Sequence, residues 1–120
     1  MANDDEARAR KFALNQSAFR AANERLQRAA GSYGFRPSDP VPFVCECADE
    51  SCREIVMLAL SDYEHIRAHP TWFLLVAGHE EEDAGLERIV DAERGYAVVE
   101  KIGTAGEEAA RLHPRQTGSH

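Results

Sequence analysis

The sequence predicts a single α+β domain with a long N-terminal helix and a small, mainly antiparallel sheet. A chain of 120 residues is long enough to bury one core. Residues 5–30 contain no glycine or proline, as expected for a helix. Most of the large apolar side chains fall between Val41 and Ile102, in short runs of strand length. The chain therefore has a compact centre between polar, alanine-rich flanks.

Residues 1–34 are predicted to form an amphipathic helix. Phe12, Phe19 and Leu26 recur every seven residues and give it a narrow apolar stripe. Glycines follow at the expected end of the helix. The stripe could pack on its own domain, pair with a second copy of the chain, or bind a protein partner, and the oligomeric state is left open.

Residues 41–102 are predicted to form the compact α+β core. Arg53–Leu58 is expected to be a strand that pairs with the strand leading into Cys45. Trp72–Val76 is the most apolar run and is expected at the centre of the sheet. Tyr96–Ile102 is expected to be a further strand, preceded by a turn at a glycine.

Three other segments complete the secondary-structure prediction. Ser61 and Glu64 have the spacing of a capping box, which predicts a helix that begins at Ser61. Residues 86–91 fit either a helix or a strand, and both remain open. Residues 103–120 are expected to be a short helix followed by a disordered tail.

The distribution of charge argues against nucleic-acid binding. The net charge is −7, and the acidic excess lies after residue 30, where no basic cluster could contact phosphates. No apolar run is long enough to span a bilayer. Because the sequence opens with acidic residues rather than a signal peptide, the expected location is the cytoplasm.

The three cysteines lie together, at Cys45, Cys47 and Cys52. An odd number of closely spaced cysteines does not suit a disulfide framework and, in a reducing compartment, favours metal binding. In a strand, Cys45 and Cys47 would lie on the same face. The short polar residues after Cys47 predict a tight turn that brings Cys52 back beside them.

Structural zinc requires a fourth ligand to complete its tetrahedron. The chain has five histidines, and His79 is the best placed because it follows an apolar strand at a glycine. The predicted metal ligands are therefore Cys45, Cys47, Cys52 and His79. A zinc ion bound there would form a zinc knuckle that stabilises the core of residues 41–102.

Three functions fit such a site. The first is a cytoplasmic, non-catalytic interaction or regulatory module with a structural Cys3His zinc site. The second is a redox-sensing thiol switch that releases zinc on oxidation. The third is a zinc-dependent enzyme with an open metal position, in which Glu80 or Glu46 could act as a base.

The Cys-x-Cys-x4-Cys knuckle and the downstream Gly78-His79-Glu80 resemble a family of small bacterial proteins of actinobacterial type. That family often has proline before Gly-His-Glu, where this chain has Ala77. The resemblance covers about residues 12–101. It implies a small protein with a zinc site and does not indicate any enzymatic activity.

Overall fold

Three helices and five strands make up the described part of the chain. The computed structural model describes residues 2–47, 49, 51–80, 87–92 and 94–113. In chain order the elements are α1 (Ala2–Ser32), β1 (Pro40–Val44), β2 (Ile55–Ala59), α2 (Leu60–Arg67), β3 (Trp72–Val76), β4 (Glu87–Asp91), β5 (Tyr96–Lys101) and α3 (Gly103–Arg111). The predicted α+β class is confirmed. None of the described helices combines the length and apolar character needed to cross a membrane.

Some predictions fall on residues that lie outside the described part of the chain. These are the tail at 114–120 and residue 86, the first residue of the ambiguous segment 86–91. The division into residues 1–34, 41–102 and 103–120 likewise stays a prediction.

The strands form two antiparallel sheets rather than one. β1 pairs with β2, and the second sheet has the order β3-β5-β4. The expectation that Trp72–Val76 lies at the centre was wrong, because β5 occupies that position. The other edge of β3 is contacted by the segment after β1, where the backbone N–H of Glu46 donates to the carbonyl of Leu74 at 2.7 Å. The free edge of β3 is thus covered by the cysteine segment.

The ambiguous segment is a strand over its described residues. Glu87–Asp91 pairs with β5 through a turn in which Gly95 has φ +87°. The carboxylate of Glu87 lies 2.9 Å from the ammonium group of Lys101, and both side chains are almost completely buried. This ion pair, together with the backbone ladder, explains why a segment of mixed polarity forms a strand.

The predicted capping box of α2 was wrong. The helix begins one residue before Ser61, and no side chain caps it. Instead, the backbone N–H groups of Leu60 and Ser61 donate to the carbonyls of Asp39 and Pro37, at 3.2 and 2.8 Å. The segment before β1 therefore replaces a side-chain cap, because its carbonyls accept hydrogen bonds from two amides of the first turn.

Apolar side chains pack on both faces of the three-stranded sheet. On one face they lie against the β1–β2 hairpin and α2, and they include Val41, Phe43, Val56, Leu58, Tyr63, Ile66, Leu74 and Val98. On the other face they lie against the cysteines and α3, and they include Cys45, Cys47, Phe73, Leu75, Ala97, Val99 and Ala109. The cysteines are therefore part of a core cluster.

The end of α1 has the geometry that its glycines predicted. Gly34 has φ +90°, and its N–H donates to the carbonyl of Gly31 at 3.1 Å. The N–H of Phe35 donates to the carbonyl of Ala30 at 3.0 Å. This pair of bonds is a Schellman motif, in which a left-handed residue ends the helix.

The face that α1 buries is polar. Gln16, Ser17, Arg20, Asn23 and Glu24 are buried on it. Of the predicted apolar stripe, the phenylalanine at 19 and the leucine at 26 are half-buried, and the side chain at 12 lies outside the description. The helix therefore packs on its own domain through hydrogen bonds and through Leu26 and Ala30, which lie in or against the apolar core. A protein partner for the stripe Phe12, Phe19 and Leu26 stays a prediction.

Gly106 allows α3 to pack closely against the end of β5. A Cβ at this position would lie 2.6 Å from the carbonyl oxygen of Lys101, whereas a Cβ at Gly31 in α1 would meet nothing within 4 Å. We expect Gly106→Ala to destabilise the protein by about 1–3 kcal/mol through overpacking. Gly31→Ala, the matched control, should stabilise it by roughly 0.5–1 kcal/mol. Chemical denaturation measures both, and equal effects of the two substitutions would contradict the packing described.

Candidate metal centre

The four predicted ligand side chains lie together. One ligand atom from each of Cys45, Cys47, Cys52 and His79 falls within 4.8 Å of all the others. The Nδ1 of His79 is 3.6 Å from the sulfur of Cys45 and 3.7 Å from that of Cys52. A zinc tetrahedron with bonds of about 2.0–2.3 Å has edges of roughly 3.3–3.8 Å between ligands. The spacing of the imidazole and these two sulfurs therefore fits a single tetrahedral ion.

The β1–β2 hairpin positions the first two cysteines. The backbone N–H of Cys45 donates to the carbonyl of Glu54 at 2.9 Å and extends the ladder beyond β1. Cys45 and Cys47 are both buried, whereas the residue between them, Glu46, directs its carboxylate to other partners. The alternation of an extended chain thus presents the two thiols to the same site.

A turn at Asp49 returns the chain to the third cysteine. The carboxylate of Asp49 accepts hydrogen bonds from the backbone N–H of Ser51 at 3.0 Å and from its hydroxyl at 2.7 Å. The backbone N–H of Cys52 donates to the carbonyl of Asp49 at 3.0 Å. This is an Asx turn, which the short polar residues predicted. It places the partly buried Cys52 beside the other two cysteines.

A second turn, after β3, aims the histidine. Gly78 has φ +94°, and the N–H of His79 donates to the carbonyl of Val76 at 3.0 Å. With its Nδ1 toward the sulfurs, the imidazole brings its Nε2 to 3.3 Å from a carboxylate oxygen of Glu54. A carboxylate on the outer nitrogen is the usual way to fix the orientation of a metal-binding histidine.

Backbone and side-chain hydrogen bonds also tune the thiols. The backbone N–H of Val76 donates to the sulfur of Cys45 at 3.2 Å. A hydrogen bond from the Cys45 thiol, with a further one from His79, lowers the pKa of Cys47 to about 5. The same pairing raises the pKa of Cys45, with burial adding to the effect, and burial raises the pKa of Cys52. The hydrogen bond to Cys47 raises the pKa of His79.

The lowered pKa of Cys47 and the raised pKa values of Cys45 and Cys52 show that the three thiols do not ionise independently of one another. Three thiolates in so small a space would repel one another in the absence of a cation. A divalent ion would displace the protons of the remaining thiols and neutralise their charge. The arrangement is therefore suited to bind a cation tightly.

Two residues around the centre were not predicted as partners of the ligands. One is Glu54, which contacts His79. The other is Glu46, whose fully buried carboxylate accepts hydrogen bonds from the hydroxyl of Tyr63 at 2.5 Å and the N–H of Leu74 at 2.9 Å. Its position between two inward-facing cysteines is the signal that could have identified it, since alternation directs such a residue into the opposite core.

We expect Glu54→Gln to weaken the binding of a divalent metal by about tenfold, because the amide orients the imidazole less well than a carboxylate does. The measurement is a competition titration of Zn²⁺ with a coloured chelator. Glu107→Gln, on an exposed residue of α3, is the matched control and should bind as the wild type does. Identical affinities for all three proteins would show that Glu54 does not support the site.

Comparison with known proteins adds no family to these observations. No protein-family model, no curated protein and no solved structure matches the chain. The resemblance to small bacterial knuckle proteins therefore stays a prediction, and the function is inferred from the chemistry of the four converging side chains.

Proposed function

We propose that the protein binds one zinc ion in a structural Cys3His site and acts as a non-catalytic interaction or regulatory module. The observation that carries this proposal is the convergence of four ligand atoms within 4.8 Å. Thiolate and imidazole ligands select zinc and other soft or borderline cations over magnesium and calcium, which prefer oxygen.

The donor set favours a structural role over a catalytic one. Four protein ligands complete a tetrahedron and leave no position for water or substrate, whereas catalytic zinc keeps one open. Three thiolates also neutralise the charge of the ion and reduce its strength as a Lewis acid. Cys45 and Cys47 are buried, so the centre is closed on that side.

An ion at this centre would join the two sheets. Cys45, Cys47 and Cys52 belong to the loop of the β1–β2 hairpin, and His79 follows β3 of the second sheet. Small domains commonly use a metal where the hydrophobic core is limited. The proposed zinc would thus hold the tip of the hairpin to the end of β3.

The location and the partner are also part of the proposal. A reducing compartment such as the cytoplasm would keep the thiols available as ligands. A protein partner could bind the helix stripe or the outer face of the hairpin, where Ile55 and Met57 are 50% and 58% exposed. Apolar side chains clustered on one exposed strand face are typical of contact surfaces.

We expect protein purified under reducing conditions to contain close to one zinc per chain, a ratio that elemental analysis would measure. His79→Ala should lower the zinc content or affinity strongly, whereas His65→Ala, which changes an exposed histidine of α2, should not.

Removing the ion with a chelator should lower the thermal unfolding temperature. Metal-free protein that is as stable as protein supplied with zinc would overturn the proposal.

The redox switch is a second candidate, favoured by the partial exposure of Cys52. One thiolate would take an oxygen atom from hydrogen peroxide to form a sulfenic acid, and hydroxide would leave. A second thiolate would then displace that oxygen as hydroxide and form a disulfide, which frees the zinc.

For the switch, we expect micromolar peroxide to release zinc while the protein stays folded, whereas the same protein kept in reductant should retain its zinc. A zinc-sensitive dye and circular dichroism follow the two events. Zinc that stays bound until the protein unfolds would identify the site as purely structural.

A further inference from the structure

The N-terminal helix is held to the domain by hydrogen bonds from its polar face. The guanidinium of Arg20 donates to the carbonyls of Pro70 and Ala109, at 2.5 and 2.7 Å. Gln16 and Asn23, both fully buried, donate to backbone carbonyls of the hairpin segment. Buried amides are costly without partners, so this face can dock only where its acceptors are correctly placed.

The acceptors of Gln16 and Asn23 lie in one short segment that contains the first cysteine. Gln16 donates to the carbonyl of Glu46 at 3.1 Å. Asn23 donates to the carbonyl of Val44 at 2.8 Å and accepts from the N–H of Val44 at 2.9 Å. The side chain of Asn23 thus pairs with the outer edge of the chain immediately before Cys45, as a neighbouring strand would.

The carboxylate of Glu46 connects this helix to the rest of the core. One oxygen accepts from Asn23 at 2.7 Å and from the hydroxyl of Tyr63, and the other accepts from the N–H of Leu74. Arg67 lies 3.9 Å from it. Donors from α1, α2 and β3 therefore fix the carboxylate. Because adjacent side chains in an extended chain point in opposite directions, fixing Glu46 also orients the cysteines on either side of it.

We infer that Glu46 and Asn23 are positioning residues for the metal centre, so that docking of α1 and zinc binding are coupled. This inference rests on the proposed zinc site. Coupling of two binding events is reciprocal: if docked α1 strengthens zinc binding, zinc strengthens the docking of α1 by the same factor. The hydrogen bonds of Gln16 and Asn23 go to Val44 and Glu46 rather than to a ligand side chain. The effect of α1 on zinc affinity therefore passes through the segment Val44–Glu46.

The coupling has a structural consequence for the zinc-free protein. Without the ion, the cysteine segment is held less firmly, and the acceptors of Gln16 and Asn23 are no longer fixed. The central part of α1 should then open more often than β5, which is paired on both sides within its own sheet. Zinc loading would thereby control how firmly the N-terminal helix is held.

The test measures zinc affinity by chelator competition in four proteins. Asn23→Asp keeps an oxygen that accepts from the N–H of Val44. It loses the bonds donated to the carbonyl of Val44 and to the carboxylate of Glu46, and it places its own carboxylate beside that of Glu46. We expect it to bind zinc at least tenfold more weakly than the wild type. Glu46→Gln added to it supplies an amide donor between the two side chains and should restore part of the affinity. Ala18→Asp, which adds the same charge on the exposed face of α1, should bind as the wild type does.

The outcomes separate the inference from the proposed function. Wild-type protein that does not bind zinc would overturn the zinc site itself. Wild-type and Asn23→Asp proteins with equal affinity would overturn the coupling and leave the site intact. A double variant, Asn23→Asp with Glu46→Gln, that binds zinc no more tightly than Asn23→Asp alone would show that the two side chains do not act together.

Hydrogen exchange of the wild type provides a measurement that needs no variant to fold. On removal of zinc, we expect backbone amides of residues 16–24 to lose at least tenfold more protection than those of Tyr96–Lys101. Equal losses in both segments, or no loss in α1, would contradict the coupling.

Discussion

The region around the candidate site is arranged about one of the buried charges of the protein, the carboxylate of Glu46. A buried carboxylate is tolerated only where donors and opposite charge surround it. Here the donors come from α1, α2 and β3, through Asn23, Tyr63 and Leu74, with Arg67 nearby. Because Glu46 lies between two cysteines, the interactions that satisfy this charge also orient the candidate metal ligands. The packing of α1, α2 and β3 and the orientation of the candidate metal ligands therefore depend on the same hydrogen bonds to Glu46.

The same segment joins the two sheets. Glu46 donates its N–H to the carbonyl of Leu74, and Val76 donates its N–H to the sulfur of Cys45. These bonds cover the edge of β3, which would otherwise present unpaired backbone groups to other chains. A zinc ion bound by three residues of the hairpin loop and by His79 would reinforce the same junction. In our proposal, the zinc ion stabilises a junction between the sheets that a longer strand or a larger core would otherwise have to stabilise.

The sequence predicts mainly the features that depend on neighbouring residues. The exception is His79, which a strand end at a glycine identified although it lies 27 residues after Cys52. The cysteine spacing, the turn at Asp49 and the end of α1 at Gly34 follow from local chemistry, and the structure has all three. The buried face of α1 could not be predicted in this way, since Asn23 is buried by partners far along the chain. Similarly, local signals could not show that β5 lies in the centre of its sheet or that a distant linker caps α2.

X-ray absorption at the zinc edge of the purified protein would identify the atoms that bind the ion. We predict a first shell of three sulfur atoms at about 2.3 Å and one nitrogen atom at about 2.0–2.1 Å. This shell should lose its nitrogen from imidazole in His79→Ala. A first shell made only of nitrogen and oxygen, or one with fewer than three sulfurs, would rule out a Cys3His zinc centre.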